Sequence, residues 1–377
     1  MNFDNIMQIK PNDNLFLGSG KNFSKGENTW LGTRMIPYPS VFYGAICSTM
    51  LVQNEDRRKK YIYNKDLDSD PRKYLSLGNV YLYNEEDDEV YMSAPLDLYL
   101  DEYEECHYAI IKKIKNNINC SEERMSHLFF NEIEGESQRV DDMFIKYRNF
   151  YNSYYNTNES IGIIKNSDIV TNSYKVGIER DKNYVAREKH LYRIDLTEFK
   201  KEKWSYLVEY NIKDSWWNEE IKNIKDGYLK LGGENKVCRF YTYDKNKKLM
   251  IYNNLYNQIN DTEYVKMIIT SPCIFEGNDY IPKFKNTEVI AASTGKPYDI
   301  GGFDMVLNIP KPMSKAVPEG SVYVLKNKDF NNTSLKEIRK IIDDEVLIDK
   351  TYKKQGFGMF ELVPLDESQF EGEEIYE

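Results

Sequence analysis

Short runs in which apolar and polar residues alternate recur along the whole chain. A period of two places every second side chain on one face, so each run predicts a half-buried β-strand. The predicted strands are 7–10, 79–83, 89–92, 175–179, 190–194, 204–210, 237–243, 264–270, 289–292, 321–325 and the end of 352–362. An acidic turn separates 79–83 from 89–92, which predicts a hairpin there.

Fewer segments carry the longer period of a helix. Ser40 follows a Pro-Tyr-Pro run and is predicted to be the N-cap of an apolar helix over 41–51, because a serine side chain accepts from the unpaired N–H groups of the first turn. The Asn-, Ser- and Tyr-rich segment 152–172 predicts a loop or a protruding insertion. The other helical patterns are 98–126, which is only partly helical, 216–224 and 335–344.

Strands alternate with single helices in both halves of the chain. This pattern is typical of the α+β class, in which helices pack on antiparallel sheets. At 377 residues the chain is long enough for two domains of ordinary size. We place their approximate boundary near residue 200, which predicts an N-terminal domain over 1–200 and a C-terminal domain over 201–377.

Charge is distributed unevenly along the chain. The net charge is −10, and residues 84–106 hold ten acidic residues without a Lys or Arg. In contrast, residues 283–328 contain seven Lys and four acids, which allows a locally basic face on an acidic body. A solvated face is the ordinary explanation of any single run. An interaction surface for a basic partner is the alternative for 84–106.

Several classes of protein are disfavoured by what the sequence lacks. No apolar run approaches the roughly 18 residues of a membrane span, and the first residues do not resemble a secretory signal, so we expect a cytoplasmic protein. The five Cys form no CxxC pair, which disfavours a metal knuckle. The three His (His107, His127 and His190) stand in no catalytic spacing, and no phosphate-binding GxxxxGK[ST] or GxGxxG motif occurs. We therefore expect no metal and no cofactor. The scarcity of His leaves RNA cleavage open as an alternative, because Tyr or Lys can replace His as the acid or base of a metal-independent RNase.

Three glycine-containing loops stand out instead. Glycine lets backbone N–H groups approach a phosphate, and a neighbouring Lys adds charge. Taken singly, each loop is more typical of a tight turn. The loops are Gly18-Ser-Gly20-Lys21-Asn-Phe23, Ser293-Thr-Gly295-Lys296-Pro297 followed by Gly301-Gly302-Phe303-Asp304, and Lys353-Lys354-Gln-Gly356-Phe357-Gly358.

The order of these loops among other short motifs carries a resemblance. The motifs include Lys10-Pro-Asn-Asp13, Pro37-Tyr-Pro-Ser40, Ala94-Pro-Leu-Asp97, Val176-Gly-Ile-Glu-Arg-Asp181, Leu231-Gly-Gly-Glu234, Lys311-Pro312 and Val317-Pro-Glu-Gly320-Ser-Val-Tyr323. In this order they resemble the RAMP superfamily, and within it the family of subunit three of the type III-B CRISPR complex, Cmr. The run from Gly295 to Tyr323 is the most specific part.

The resemblance implies two ferredoxin-like (RRM-like) RAMP domains with insertions. It further implies a non-catalytic RNA-binding subunit that caps the 5′ tag of the guide RNA (crRNA). Its implied partners are the large polymerase-type subunit and the first backbone RAMP subunit, with target RNA contacted indirectly. An alternative on the same fold is a RAMP endoribonuclease that processes crRNA precursors. That enzyme would need an acid–base pair near the last glycine loop, and no His lies beyond His190.

Residues in and beside the loops are the predicted RNA contacts. Family members often carry Arg where this chain has Leu17 and Cys47, so Lys21 or Arg34 would compensate. Aromatic residues in the set are candidates for base stacking, with core packing as the alternative, which we favour for Phe357. The full predicted set is Lys21, Arg34, Ser40, Tyr43, Gly295, Lys296, Phe303, Lys311, Lys353, Lys354, Gly356, Phe357 and Gly358.

Overall fold

A computed structural model provides the architecture. It describes residues 3–18, 30–31, 34–114, 125–152, 161–180, 182–183, 185–213, 226–244, 263–275, 280–304, 309–328, 334–345, 350–365 and 370–371. The helices are α1 (Pro39–Gln53), α2 (Glu55–Asn64), α3 (Tyr147–Asn152), α4 (Asn166–Ile169), α5 (Leu335–Glu345) and α6 (Lys350–Lys354). Within these ranges, none of the helices is long and apolar enough to cross a membrane.

Strands make up most of the regular structure. In chain order they are β1 (Asn5–Pro11), β2 (Trp30–Leu31), β3 (Leu75–Asn84), β4 (Glu89–Ser93), β5 (Leu98–Leu100), β6 (Cys106–Tyr108), β7 (Ile110–Lys113), β8 (His127–Phe130), β9 (Gln138–Arg139), β10 (Met143–Lys146), β11 (Ile163–Lys165), β12 (Val170–Arg180), β13 (Ala186–Phe199), β14 (Trp204–Ile212), β15 (Asp226–Lys230), β16 (Val237–Asp244), β17 (Tyr264–Ile269), β18 (Thr287–Ser293), β19 (Tyr298–Ile300), β20 (Phe303–Asp304), β21 (Ile309–Pro310), β22 (Ser314–Ala316), β23 (Val322–Asn327), β24 (Phe360–Leu365) and β25 (Phe370–Glu371).

The largest sheet has eight strands in the order β11-β10-β4-β3-β14-β1-β16-β15. Every neighbouring pair in it is antiparallel. Strands β1 and β3, which α1 connects, are therefore parallel to each other with β14 between them. This arrangement is a split β-α-β unit, and it packs α1 against the interior strand β3.

A second sheet of four antiparallel strands repeats the same plan. Its order is β18-β23-β17-β24. Strands β17 and β18 are parallel and flank β23, as β1 and β3 flank β14. The helix that precedes the last strand, α5, packs on this sheet through Leu335, Ile338 and Ile342.

The two sheets face each other, and α1 and α5 cover their outer faces. Alternation along β17 shows why: Met267 packs toward α5, whereas Ile268 points into a core shared with Leu207 of the first sheet. On the other face of the first sheet, Phe42 and Ile46 of α1 pack among buried strand residues. The sequence of layers is thus helix, sheet, sheet, helix.

A buried ion pair crosses the interface between the sheets. Lys266 Nζ on β17 lies 2.9 Å from Asp97 Oδ2, and both side chains are almost completely buried. Burying two charges is favourable only with good geometry and close pairing. The pair joins β17 of the second sheet to the turn before β5 in the first half of the chain.

A long hairpin of β12 and β13 extends the structure beside β2. Along one face of β12, Tyr174, Val176 and Ile178 are exposed by 63%, 53% and 42%. On the opposite face, Tyr192 lies across Gly177, where any added Cβ would meet the ring. The hairpin thus carries a continuous apolar row toward solvent.

Most predicted elements are present with small shifts at their ends. The strand predictions from 7–10 to 321–325 fall on strands of the structure, the acidic turn joins β3 to β4, and helix 335–344 corresponds to α5. The predicted helix 216–224 lies outside the described residues. The predicted α+β class is confirmed in its coarse form, a mixed structure of mostly antiparallel sheets with few helices.

Three local predictions need correction. Ser40 is not the N-cap of α1; Tyr38 is, and it makes no side-chain cap, because Pro39 already starts the helix at a position that needs no N–H donor. The partly helical stretch 98–126 contains β5, β6 and β7 in its described part. The described end of the 152–172 insertion holds the edge strand β11, the short helix α4 and the start of β12. Pairing with distant strands overrode the local pattern in both segments.

The first sheet extends past the predicted domain boundary. Strands β14, β15 and β16 belong to it, although all three lie beyond residue 200. The chain passes from the first sheet to the second between Asp244 and Tyr264.

Candidate nucleic-acid interface

The amino end of α1 is the meeting point of three separate segments. Tyr38 contacts Tyr298 edge-on with ring centroids 6.1 Å apart, and its hydroxyl donates to the backbone oxygen of Asp299 at 3.5 Å. Tyr38 and Phe357 share a small buried cluster that also contains Ile300. The Pro-Ser motif and the second and third glycine loops, distant in sequence, are thus adjacent in space.

Gly356 makes the closest of these approaches. Its φ is +90°, and an added Cβ would lie 2.8 Å from the backbone oxygen of Gly78 and 3.3 Å from Cβ of Pro39. Only glycine fits such a position without strain. The third loop therefore rests directly on β3 and on the first residue of α1.

Gly295 and Gly320 fill similar positions on the other side of the interface. A Cβ on Gly295 would meet Cγ of Pro318 at 2.6 Å and Cδ1 of Leu96 at 3.1 Å. Gly320, with φ of +87°, passes so close to Ala94 that a Cβ would lie 2.5 Å from its backbone oxygen. These glycines allow the second half of the chain to pack on the 94–97 turn of the first.

Arg34 is enclosed between the two halves. Its Nη2 lies 3.0 Å from Oε1 of Glu319, and its guanidinium lies 4.5 Å from the ring centroid of Tyr38 and 4.0 Å from that of Tyr298. Burial opposes the charge, but the Glu319 carboxylate together with Tyr298 and Tyr38 more than offsets it, so the pKa of Arg34 is raised above its usual value. Burial also raises the pKa of Tyr298.

Two of the aromatic candidates lie in the core. Tyr43 is buried and its hydroxyl donates to the backbone oxygen of Arg72 at 3.1 Å. Phe357 is fully buried against Tyr352, with ring centroids 5.4 Å apart, which leaves no face for a base. Phe303 lies in β20, but its side chain is outside the described residues.

The predicted lysines differ in what they offer to a ligand. Lys296 and Lys354 are exposed and Lys311 is half-buried; within the described ranges none of these three forms a salt bridge. Lys353 is buried and its Nζ lies 2.9 Å from Oδ2 of Asp343. Lys21 lies outside the described residues.

The remaining predicted residues are part of the backbone framework. Ser40 is half-buried in the first turn of α1, near the N–H groups that have no partner within the helix. Gly358, with φ of +67°, donates its N–H to the backbone oxygen of Pro272 at 3.0 Å. Both positions stay predictions as RNA contacts.

One group of side chains has the composition of a metal site. Asp101, Glu105 and His107 place ligand atoms within 4.8 Å of one another. Hydrogen bonds within the turn already use Asp101: its Oδ1 accepts from the N–H groups of Tyr103 and Glu105, and its Oδ2 lies 2.8 Å from Nε2 of His107. These hydrogen bonds within the turn account for the close approach of the three side chains.

Sequence reasoning did not single out Tyr38, Tyr298 or Glu319. Tyr38 and Glu319 stand inside quoted motifs and Tyr298 directly follows one, but their roles depend on contacts with residues hundreds of positions away. A local signal existed only for the loops. The central place of Arg34 among these three side chains follows from tertiary contacts alone.

The family model for CRISPR-associated protein (Cas_Cmr3) matches residues 7–364. The chain belongs to the Cas_Cmr3 family. The match runs from β1 to β24 and so includes both sheets and all three segments around α1. It confirms the resemblance noted from the motifs.

Chains in solved structures of type III CRISPR complexes are similar to this chain. A chain in a cryo-EM structure of the type III-B Cmr-beta complex bound to cognate target RNA is 17% identical, with a TM-score of 0.50, covering 94% of this chain and 96% of that one. A chain of the type III-A Csm3–Csm4 subcomplex is 15% identical with a TM-score of 0.39, covering 96% and 99%. No curated protein matches the sequence.

Proposed function

We propose that this Cas_Cmr3 family member is a non-catalytic RNA-binding subunit of a type III-B CRISPR effector complex and that it holds the 5′ tag of the crRNA. The observation that carries the proposal is the convergence of the three segments at the amino end of α1. Lys296 lies two residues before Tyr298 and Lys354 two residues before Gly356, so both exposed lysines stand beside this convergence.

The chemistry of the surface suits a single-stranded phosphate backbone. Unpaired N–H groups at the start of a helix and nearby lysines both favour phosphate oxygens. A short tag of fixed sequence needs phosphates held in place and bases that are splayed and read. The segments around α1 are packed closely through Gly356, and such packing would present these groups in a fixed arrangement.

The two sheets support the proposed pair of ferredoxin-like RAMP domains. Strands β3-β14-β1-β16 and β18-β23-β17-β24 follow the same order, each with a split β-α-β relation. In this reading each sheet is the core of one domain, and β12, β13 and the strands from β5 to β11 are insertions in the first.

The proposed partners are the large polymerase-type subunit and the first backbone RAMP subunit, with target RNA contacted indirectly. The row of Tyr174, Val176 and Ile178 supports a protein contact, because exposed apolar residues that adjoin one another mark interaction surfaces. Two of the similar structures are type III-B Cmr-beta complexes bound to cognate target RNA.

A non-catalytic role agrees with the titratable groups around α1. A general acid or base works best with a pKa near the working pH. At the convergence, the pKa values of Arg34, Tyr38 and Tyr298 each move up, away from neutrality, whereas burial and the Glu319 carboxylate raise the pKa of the Asp142 carboxyl.

The first experiment measures binding of the chain, alone and with its large partner subunit, to guide RNA with and without the 5′ tag at several salt concentrations. Lys296→Glu and Lys354→Glu are each expected to weaken tagged-RNA binding about tenfold or more. Each should also lower the slope of log affinity against log salt by about 0.7, the value for one lost contact on a single strand.

Lys60→Glu on α2 is the matched control. Helix α2 follows the carboxyl end of α1, and α1 has 15 residues, about 22 Å of helix from the proposed site. Equal affinity of both lysine variants and wild type for the tag would contradict the site. Cleavage of repeat RNA by the wild-type chain would favour the endoribonuclease alternative.

A further inference from the structure

Arg34 has the surroundings of a structural residue and not of an RNA contact. Four partners surround its guanidinium: the Glu319 carboxylate, the rings of Tyr38 and Tyr298, and the backbone oxygen of Ile36, which accepts from Nε at 3.3 Å. Nε and Nη2 are engaged by Ile36 and Glu319, and the two tyrosine rings lie within cation–π distance of the guanidinium.

The partners of Arg34 come from three parts of the chain that form the proposed site. Its backbone N–H donates at 3.0 Å to the oxygen of Leu17, the residue before the first glycine loop. Tyr38 is the N-cap of α1. Tyr298 follows the second glycine loop, and Glu319 precedes Gly320, which rests on Ala94. Arg34 is therefore in contact with both halves of the chain.

We propose that Arg34 and Glu319 are a positioning pair that holds the amino end of α1 against the 295–298 loop, so that the RNA-binding surface is composite and forms only when the two halves are locked together. The inference rests on the proposed tag-binding function. It reassigns Arg34 from a predicted phosphate contact to a residue that acts through Tyr38 and Tyr298.

The electrostatics of the Arg34–Glu319 pair explain how it can hold α1 in position. A buried charge that loses its partner is strongly unfavourable, whereas removal of both charges is tolerated far better. Removal of either the Arg34 or the Glu319 charge alone should therefore weaken the contact between α1 and the 295–298 loop. Lys296 would then no longer be held at a fixed distance from the first turn of α1, and RNA would have to order the surface on binding.

The test uses the full chain with Arg34→Met, Glu319→Gln and the double variant. For each, binding to tagged guide RNA is measured across a salt series, with Lys354→Gln as the reference for a lost phosphate contact. We expect Arg34→Met and Glu319→Gln to weaken binding about tenfold with the wild-type salt slope. The double variant should recover to within about threefold of wild type, because neither charge is left unpaired.

Two results would overturn the inference. If Arg34→Met lowers the salt slope by about 0.7 and the double variant does not recover, Arg34 is a phosphate contact. If neither single variant changes the affinity for RNA, the pair has no positioning role. If Arg34→Met does not fold, Arg34→Lys decides. A lysine can still contact a phosphate, but it lacks the planar, forked guanidinium of arginine. Retained RNA affinity in Arg34→Lys would therefore overturn the inference, and reduced affinity with the wild-type salt slope would support it. Wild-type binding that ignores the tag would instead overturn the proposed function itself.

Discussion

Gly356, Gly320 and Gly295 show what glycine does at this site. Each would place a Cβ within 3.0 Å of an atom from another segment, and two of the three have positive φ. Glycine-rich loops beside lysines are typical of phosphate-binding sites, and the loops that contain Gly295 and Gly356 have this composition. Here the same residues allow two parts of the chain to pack at backbone distance, and the exposed lysines beside them remain available for the ligand.

Gly356→Ala and Gly44→Ala are expected to change stability in opposite directions. Gly356→Ala should lower the free energy of unfolding by about 1–3 kcal/mol, because of its φ and its contact with Gly78. Gly44 lies in α1 with nothing within 4 Å of an added Cβ, so Gly44→Ala should raise it by about 0.5–1 kcal/mol. Urea unfolding of both variants checks the pair; equal effects would contradict the packing role of Gly356.

The β3–β4 hairpin and the strands after it carry the acidic run 84–106. Tertiary contacts neutralise half of its ten acids. Five of them pair with a Lys or Arg from elsewhere in the chain: Glu85 with Lys10, Glu86 with Lys203, Glu89 with Arg148, Asp97 with Lys266 and Glu104 with Lys165. A surface for a basic partner therefore has fewer free charges than the run suggests.

The β12–β13 hairpin offers a prediction at the scale of an element. The double variant Val176→Ser/Ile178→Ser removes two large apolar side chains that are already in water. The free energy of unfolding should change by less than about 0.5 kcal/mol. Val322→Ser in the buried strand β23 is the matched control and should cost about 2 kcal/mol or more. A large loss of stability in the hairpin variant would show that the row is covered within the chain.

Across the whole molecule, the two sheets behave as one packed body. The shared core of Ile6, Leu207, Ile268 and Val322 lies between them, and the Lys266–Asp97 pair crosses it. The amino end of α1 is held at the same interface by Arg34 and Gly356. The proposed RNA site is therefore a property of how the two sheets are placed, and changes at the interface should affect it.

Variants of the Lys266–Asp97 pair test this. Asp97→Ala removes the carboxylate partner of the buried Lys266 and should cost about 3–5 kcal/mol. Asp97→Leu/Lys266→Met replaces both charges with apolar groups and should lie within about 1–2 kcal/mol of wild type. Urea unfolding of the variants gives the values. An Asp97→Ala cost below 1 kcal/mol would mean that the pair does not hold the sheets together.

The period-two pattern determined the strands, because side chains on a half-buried strand must alternate whatever its partners are. The order of short motifs determined the family. The pairing of the strands could not be predicted, because paired strands can be far apart in sequence. The local pattern within 98–126 does not reveal the partners of its strands, and the first sheet includes three strands from beyond residue 200. Only the tertiary structure decided that Arg34 and Phe357 are enclosed while Lys296 and Lys354 face solvent, because burial depends on which distant segments pack around a residue.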